Sequence, residues 1–233
     1  MCNIFSISEE MKMKKIFKKI EYKNPKFKEE FKVLILNKIN FSGENSKAVL
    51  FEIEKASKFK EFSFIFLLGD IFCEGFENTK NIELLKQTLS KLQSKYGTFA
   101  VLSKNDYKSK KSIKDLKYFF REANVNLLRD KTIKISEDFY IGGRKEDNRL
   151  EIKDLTASLE NSSVNVIFDS GDLYANRSLD EDCNLLVCGE NTNAINHSEK
   201  NTNEIYKISK LNNKRFFCKQ LIFTELTLKG ENT

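Results

Sequence analysis

The chain has 233 residues, 40% hydrophobic and 12% aromatic with 20 phenylalanines, which is enough apolar material for one substantial core or two small ones. Its charged fraction is 32% and its formal net charge +6, but the lysines are spread along the whole length beside many Asn and Ile, which argues for solvated surface and against a dedicated nucleic-acid stripe. No run of about eighteen apolar residues exists, which excludes a conventional membrane-spanning helix.

In chain order, Met11 to Lys32 alternates lysines with Ile16, Phe17, Ile20, Tyr22 and Phe27, and fits a first strand or a short basic helix. Val33-Leu34-Ile35-Leu36 is a continuous apolar run of the kind covered on both faces in a sheet. Ser46 is placed to cap a helix with Val49, Leu50, Ile53 and Ala56 at helical spacing. Phe64 to Leu68 reads as a second buried strand ended by Gly69-Asp70. Asn81 is placed to cap a helix carrying Leu84, Leu85, Leu89 and Leu92 on one face, with Gly97 at its end. Thr98 to Leu102 reads as a third strand, and Ile113 to Ala123 as a third helix burying Leu116, Phe119 and Phe120.

This alternation predicts an α/β sheet with crossover connections. After Leu127 the pattern becomes β-rich, with short strands at Thr132 to Ile135, Phe139 to Ile141, Val164 to Phe168, Leu185 to Val187 and Gln220 to Leu228. That half is expected to pack on the first. Residues 191–213, dense in Asn, Ser, Thr and Lys, read as a polar loop. The chain thus divides into a basic segment with the first strand over residues 1–32 and a single domain over 33–233. The five cysteines, Cys2, Cys73, Cys183, Cys188 and Cys218, show no Cys-x-x-Cys spacing and are expected to be reduced. Met1 to Ser8 is too short and polar for a signal peptide, so the expected location is cytoplasmic.

Four strand ends carry a recognisable spacing: Leu36-Asn37-Lys38-Ile39-Asn40, Leu68-Gly69-Asp70, Val101-Leu102-Ser103-Lys104-Asn105-Asp106-Tyr107, and Val187-Cys188-Gly189-Glu190-Asn191-Thr192. Strand ends are where α/β sheets place chemistry. Each block resembles one of the calcineurin-like metallophosphoesterase family, whose usual forms are S-D-x-H, G-D, G-N-H-D and G-H-x-H. Lys95 to Leu102 is similar to the bacterial branch that carries a membrane anchor. Ile20 to Val33, Val164 to Asp172 and Arg215 to Leu226 are similar to further strands of that branch, so the resemblance spans nearly the whole chain.

The resemblance implies a four-layer αββα sandwich of two mixed sheets, with a two-cation centre at the strand ends. Such a centre needs anionic or imidazole ligands that clamp both cations against a phosphoryl group. Here the decisive letters differ. The first block's Asp and His fall on Lys38 and Asn40, and an ammonium cannot ligate a metal. Gly69 and the bridging Asp70 are retained, as are Asp106 and Gly189. The Asn ligand of the third block falls on Lys104, and the proton-donating His on Asn105. The later His ligands fall on Ser170, Glu190 and Thr192, and the only histidine, His197, lies past the last block.

The expectation is therefore a catalytically inactive member with a binding or structural role and no cofactor. Lys38 and Lys104 are expected to neutralise Asp70 in place of the cations. Asp106 either orients nothing or simply accepts backbone N–H groups in a turn. Two alternatives stay open. One is an altered hydrolase using a single divalent cation at Asp70 with Asp169 and Glu190, or Cys188 as nucleophile. The other is a phosphate or nucleotide-anion binder through Lys38, Lys104 and Asn105. The partner is an unknown protein or a phosphate-containing ligand, nucleic acid is not expected, and residues 12–32 offer a peripheral contact to anionic lipid, against which stands their reading as an ordinary lysine-guarded edge strand.

Overall fold

The computed structural model describes residues 14–43, 46–107, 112–145, 152–157, 159, 163–171, 183–189, 204–207 and 220–230. Glu190, Thr192, His197, Cys2 and Cys218 lie outside the described residues, as does most of the stretch 191–213.

Eleven strands and four helices follow one another among those residues. They are β1 (Lys14–Lys23), β2 (Phe31–Asn37), α1 (Ser46–Ser57), β3 (Phe64–Leu68), α2 (Ile82–Ser90), β4 (Thr98–Val101), α3 (Ile113–Glu122) and β5 (Val125–Leu127). Then come β6 (Lys131–Ser136), β7 (Phe139–Gly143), α4 (Ile152–Thr156), β8 (Val164–Asp169), β9 (Leu185–Cys188), β10 (Glu204–Lys207) and β11 (Gln220–Lys229). They build two mixed sheets, ordered β1-β11-β2-β3-β4-β5 and β10-β9-β8-β7-β6. In the first sheet β2, β3, β4 and β5 run parallel, β11 is antiparallel to β2, and β1 is parallel to β11. In the second only β6 runs antiparallel to its neighbour.

The unbroken apolar runs of β2 and β3 exist because both faces of the first sheet are covered. Leu34, Leu36, Ile65, Leu67 and Ala100 join the residues of α1, α2 and α3 in one cluster. The alternate residues Val33, Ile35, Phe64, Phe66, Phe99 and Val101 face the second sheet and meet Phe139, Ile141, Val164, Val166, Phe168 and Val187. Phe66 of β3 and Phe168 of β8 stack with centroids 3.6 Å apart. The sheets approach so closely at Gly143 that a Cβ there would sit 2.8 Å from Val101 Cγ2. The outer face of the second sheet buries Ile167, Leu186, Cys183 and Cys188 against Leu155 of α4.

Within residues 14–32, β1 and the start of β2 belong to the first sheet. β1 is a strand rather than a helix, and Tyr22, Phe27 and Phe31 enter the core between the sheets. Several expectations need correction. The expected polar loop 191–213 contains β10, which pairs parallel with β9, and α4 and β5 had no periodic signal long enough to read. Leu84 is 43% exposed and Ile82 packs on the core in its place, because α2 starts from Asn81 in the left-handed conformation and its buried stripe runs through Leu85 and Leu89. Cys73 is disulfide-bonded rather than reduced, while Cys183 and Cys188 are buried free thiols. Among the described residues no helix is long and apolar enough to cross a membrane.

Candidate functional site

The C-terminal ends of β2, β3, β4, β8 and β9 meet at one edge. Gly69, at φ 65° just past β3, has a bare Cα against which a Cβ would lie 2.7 Å from Ser170 Cβ and 3.2 Å from Ser103 Cβ. A Cβ on Gly189 would meet Asn37 Nδ2 at 3.0 Å and Ser170 Cα at 3.3 Å. Glycine is required at both points because three strand ends occupy the space a side chain would need, and at Gly69 also because the turn is left-handed. The turns that follow are tight. Lys38, Asn40 and Asp70 all adopt positive φ, and Asn40 N–H donates to the Asp70 carbonyl at 2.8 Å, which zips the β2 turn to the β3 turn.

Asp70 is half-buried. Its Oδ1 accepts from Ser103 Oγ at 2.9 Å and from Asn105 Nδ2 at 3.0 Å, and its own backbone N–H donates to Ser103 Oγ at 3.1 Å. Lys38 is half-buried and Lys104 exposed, and among the described residues neither is ion-paired with Asp70. The expected lysine neutralisation is therefore corrected. A hydroxyl and an amide stabilise the carboxylate, because the left-handed turns that carry Lys38 and Asp70 leave Ser103 and Asn105 nearer.

Asp106 is fully buried beneath this edge. Its Oδ1 accepts the backbone N–H groups of Ile71 at 2.6 Å and Phe72 at 3.0 Å, and its Oδ2 accepts Ser103 N–H at 2.7 Å and shares a hydrogen bond with the Ser103 hydroxyl at 3.0 Å. Burial pushes its carboxyl up to about 7 and the neighbouring Asp70 adds to the rise, while the donors from Ser103 and Phe72 oppose it. The turn-holding reading of Asp106 is thereby met. Ser103 received no role from the sequence, yet it links both carboxylates. The Ser-x-x-Asp spacing of a capping box, closed here around a single 3-10 turn at Lys104–Asp106, was the available signal.

Asn40, Asp70, Lys104 and Asn105 line an open cleft of about 620 Å³ with Phe72, Cys73, Glu74 and Tyr107. Lys38 is not among the lining residues, so the three residues expected to hold an anion are not gathered on one wall. Ser170 is buried and donates to the Leu102 carbonyl, away from the cleft.

Asp169 is 2% exposed and points to the other face of its sheet, since Phe168 faces inward and Ile167 outward. There its Oδ2 accepts from Arg144 Nη1 at 2.9 Å and its Oδ1 from Gly171 N–H at 2.8 Å. Strand alternation thus removes Asp169 from any cation shared with Asp70, which corrects that expectation. Cys188 lies buried in the same outer cluster, so it cannot serve as a nucleophile in the cleft. Arg144 gave no signal in the sequence, because the pairing of β7 with β8 brings it to Asp169 across 25 residues.

The described residues do not fit the two-cation centre that the sequence resemblance implies. Its positions hold two ammonium groups at Lys38 and Lys104, amides at Asn40 and Asn105, and a hydroxyl at Ser170 committed to a carbonyl. Asp70 supplies a single carboxylate whose Oδ1 already accepts two hydrogen bonds. Asn37 Oδ1, buried without a partner, adds one neutral oxygen. Among the described residues no three His, Cys, Asp or Glu side chains cluster as metal ligands do.

No protein-family model matches the chain, and no curated protein matches it. Several solved structures align with the chain; one of them does so at 14% identity with a TM-score of 0.44, covering 70% of this chain and 84% of its own.

Proposed function

We propose that the chain is a non-catalytic relative of the calcineurin-like phosphoesterases, with a helix-sheet-sheet-helix scaffold and a binding or structural role. The observation that carries this reading is Asp70. It stands at the junction of the strand ends, where the family places a carboxylate between two cations, yet its Oδ1 accepts hydrogen bonds from Ser103 and Asn105, and Lys104, Asn40 and Asn105 share its cleft. Such a set of donors stabilises the fold of the edge and lacks the ligands that activate water between two metals. Asn105 also has no proton to give at neutral pH where the family uses an imidazole.

A second reading is favoured by Lys104, an exposed ammonium on the cleft wall beside Asn105. It is the binding of a phosphate-containing ligand without turnover. One experiment separates the readings: metal analysis of the purified protein, an aryl-phosphate assay with added Mn²⁺, and thermal melting with inorganic phosphate. The leading reading expects neither stoichiometric metal nor turnover. Turnover supported by bound metal would overturn both readings, and stabilisation by phosphate without metal would replace the first by the second.

A further inference from the structure

α1 covers the first sheet with one face and turns the opposite face outward. Its buried side is Ser46, Val49, Leu50, Ile53 and Ala56. At about 100° per residue, the direction away from them belongs to Lys47, Ala48, Phe51, Lys55, Lys58 and Phe59, all of them exposed. Lys58 and Phe59 carry this stripe past the end of the helix, because their N–H groups still donate to the carbonyls of Glu54 at 3.2 Å and Ala56 at 3.3 Å.

The stripe has a definite chemistry. Phe51 is 63% exposed and Phe59 76%. It holds no carboxylate, since Glu52 and Glu54 sit at its flanks and are half-buried. Among the described residues Lys47, Lys55 and Lys58 form no ion pair. Lys60 fixes the turn that bears Phe59, with its ammonium 5.9 Å from that ring and 2.6 Å from Glu225. One exposed phenyl ring is ordinary. Two on a single stripe, with unpaired lysines between them, are the side-chain set of a helix that lies in a lipid headgroup layer.

The arrangement selects the occupant. A protein partner buries an apolar centre within a polar rim, but Lys55 stands between Phe51 and Phe59 and would be desolvated there. Single-stranded nucleic acid stacks successive bases on neighbouring rings, and these two rings lie about 12 Å apart along a convex helix. An anionic bilayer meets neither obstacle, because the rings enter the acyl boundary while the lysine stems bend back to the headgroups.

We propose that the outer face of α1 docks on an anionic lipid bilayer, entered by Phe51 and Phe59 and held by Lys47, Lys55 and Lys58. The face uses none of residues 12–32 and no residue of the strand-end cleft, and it acts whatever the cleft binds.

The chain has no tryptophan, so Phe51→Trp in the full chain places a single reporter on this face. It is titrated with vesicles of phosphatidylglycerol and phosphatidylcholine in equal parts, with phosphatidylcholine vesicles, and with anionic vesicles whose acyl chains are brominated. Its emission is expected to shift to the blue on the anionic vesicles and to fall by about half on the brominated ones. The wild-type chain is expected to sediment with anionic vesicles about tenfold more tightly than with neutral ones. Phe59→Ser and Lys55→Glu/Lys58→Glu should each weaken that binding about fivefold, with an unchanged circular dichroism spectrum. Absence of binding, equal binding to both kinds of vesicle, emission that bromine leaves unquenched, or tighter binding of an oligothymidylate than of anionic vesicles overturns the proposal. Wild-type sedimentation and the conservative Phe51→Trp variant decide the matter even if a charge variant misfolds.

Discussion

The backbone N–H of Ile71 donates to Oδ1 of Asp106 at 2.6 Å, across 35 residues of sequence. One side chain past the end of β4 thereby holds the turn that leaves β3. Phe72 N–H shares the same oxygen and Ser103 N–H the other, so three buried donors depend on one carboxyl group. Few alternatives exist for such donors in a site with no water access, and their loss is more costly than the gain from any single exposed contact.

Asp106→Ala should consequently lower folding stability by about 3 kcal/mol or more, since it leaves buried N–H groups without acceptors. Asp106→Asn should be milder, because its amide oxygen still serves Ile71 and Phe72 and only the Ser103 side is lost. Urea titration of the three proteins gives the order directly, and an Asn variant as weak as the Ala variant would contradict it.

The pH dependence of stability follows from the same group. Burial pushes the Asp106 carboxyl up to about 7, well above its ordinary value of 3.8, so the folded chain holds a proton that the unfolded chain releases. This contribution is complete below about pH 4 and is lost as the pH rises through about 7, a difference on the order of 4 kcal/mol. The urea midpoint should fall between pH 5.5 and pH 8.5, and Asp106→Asn should flatten that fall. A wild-type midpoint that is level across this window would show the carboxyl to be ionised throughout.

Arg144 and Asp169 should behave as a buried pair. Arg144→Ala should cost about 3–5 kcal/mol, because the buried Asp169 carboxylate loses its guanidinium partner. The double variant Arg144→Met/Asp169→Leu should recover most of that loss. Calorimetric melting of the single and double variants checks the expectation, and a double variant no better than the single would refute the pairing argument.

Ser103 and Asn105 both bond to Asp70, but their contributions should differ. Ser103→Ala removes a hydroxyl that is buried and links two carboxyl groups and two backbone N–H groups, so a loss of about 2 kcal/mol is expected. Asn105→Ala removes one exposed bond and should cost under about 1 kcal/mol. Chemical denaturation ranks the two, and the reverse order would mean that Asn105 carries the turn.

Much of the first sheet could be read from the chain, since apolar runs such as Val33 to Leu36 and Phe64 to Leu68 bury both faces and the helices between them keep a helical period. Those runs fixed strand, helix and strand end in order, and with them the positions of Asp70 and Asp106. The chemical character of the residues around Asp70 was also legible, because side-chain identity alone says that lysine and asparagine are not carboxylates. What the sequence could not settle were relationships made across the fold. Which donors reach Asp70, which face of β8 carries Asp169, and that β10 joins a sheet from within a polar stretch all depend on strand pairing and left-handed turns. Local composition specifies the elements because burial acts residue by residue. Hydrogen-bond partners are chosen only when distant strand ends are brought within about 3 Å, and that choice belongs to tertiary structure.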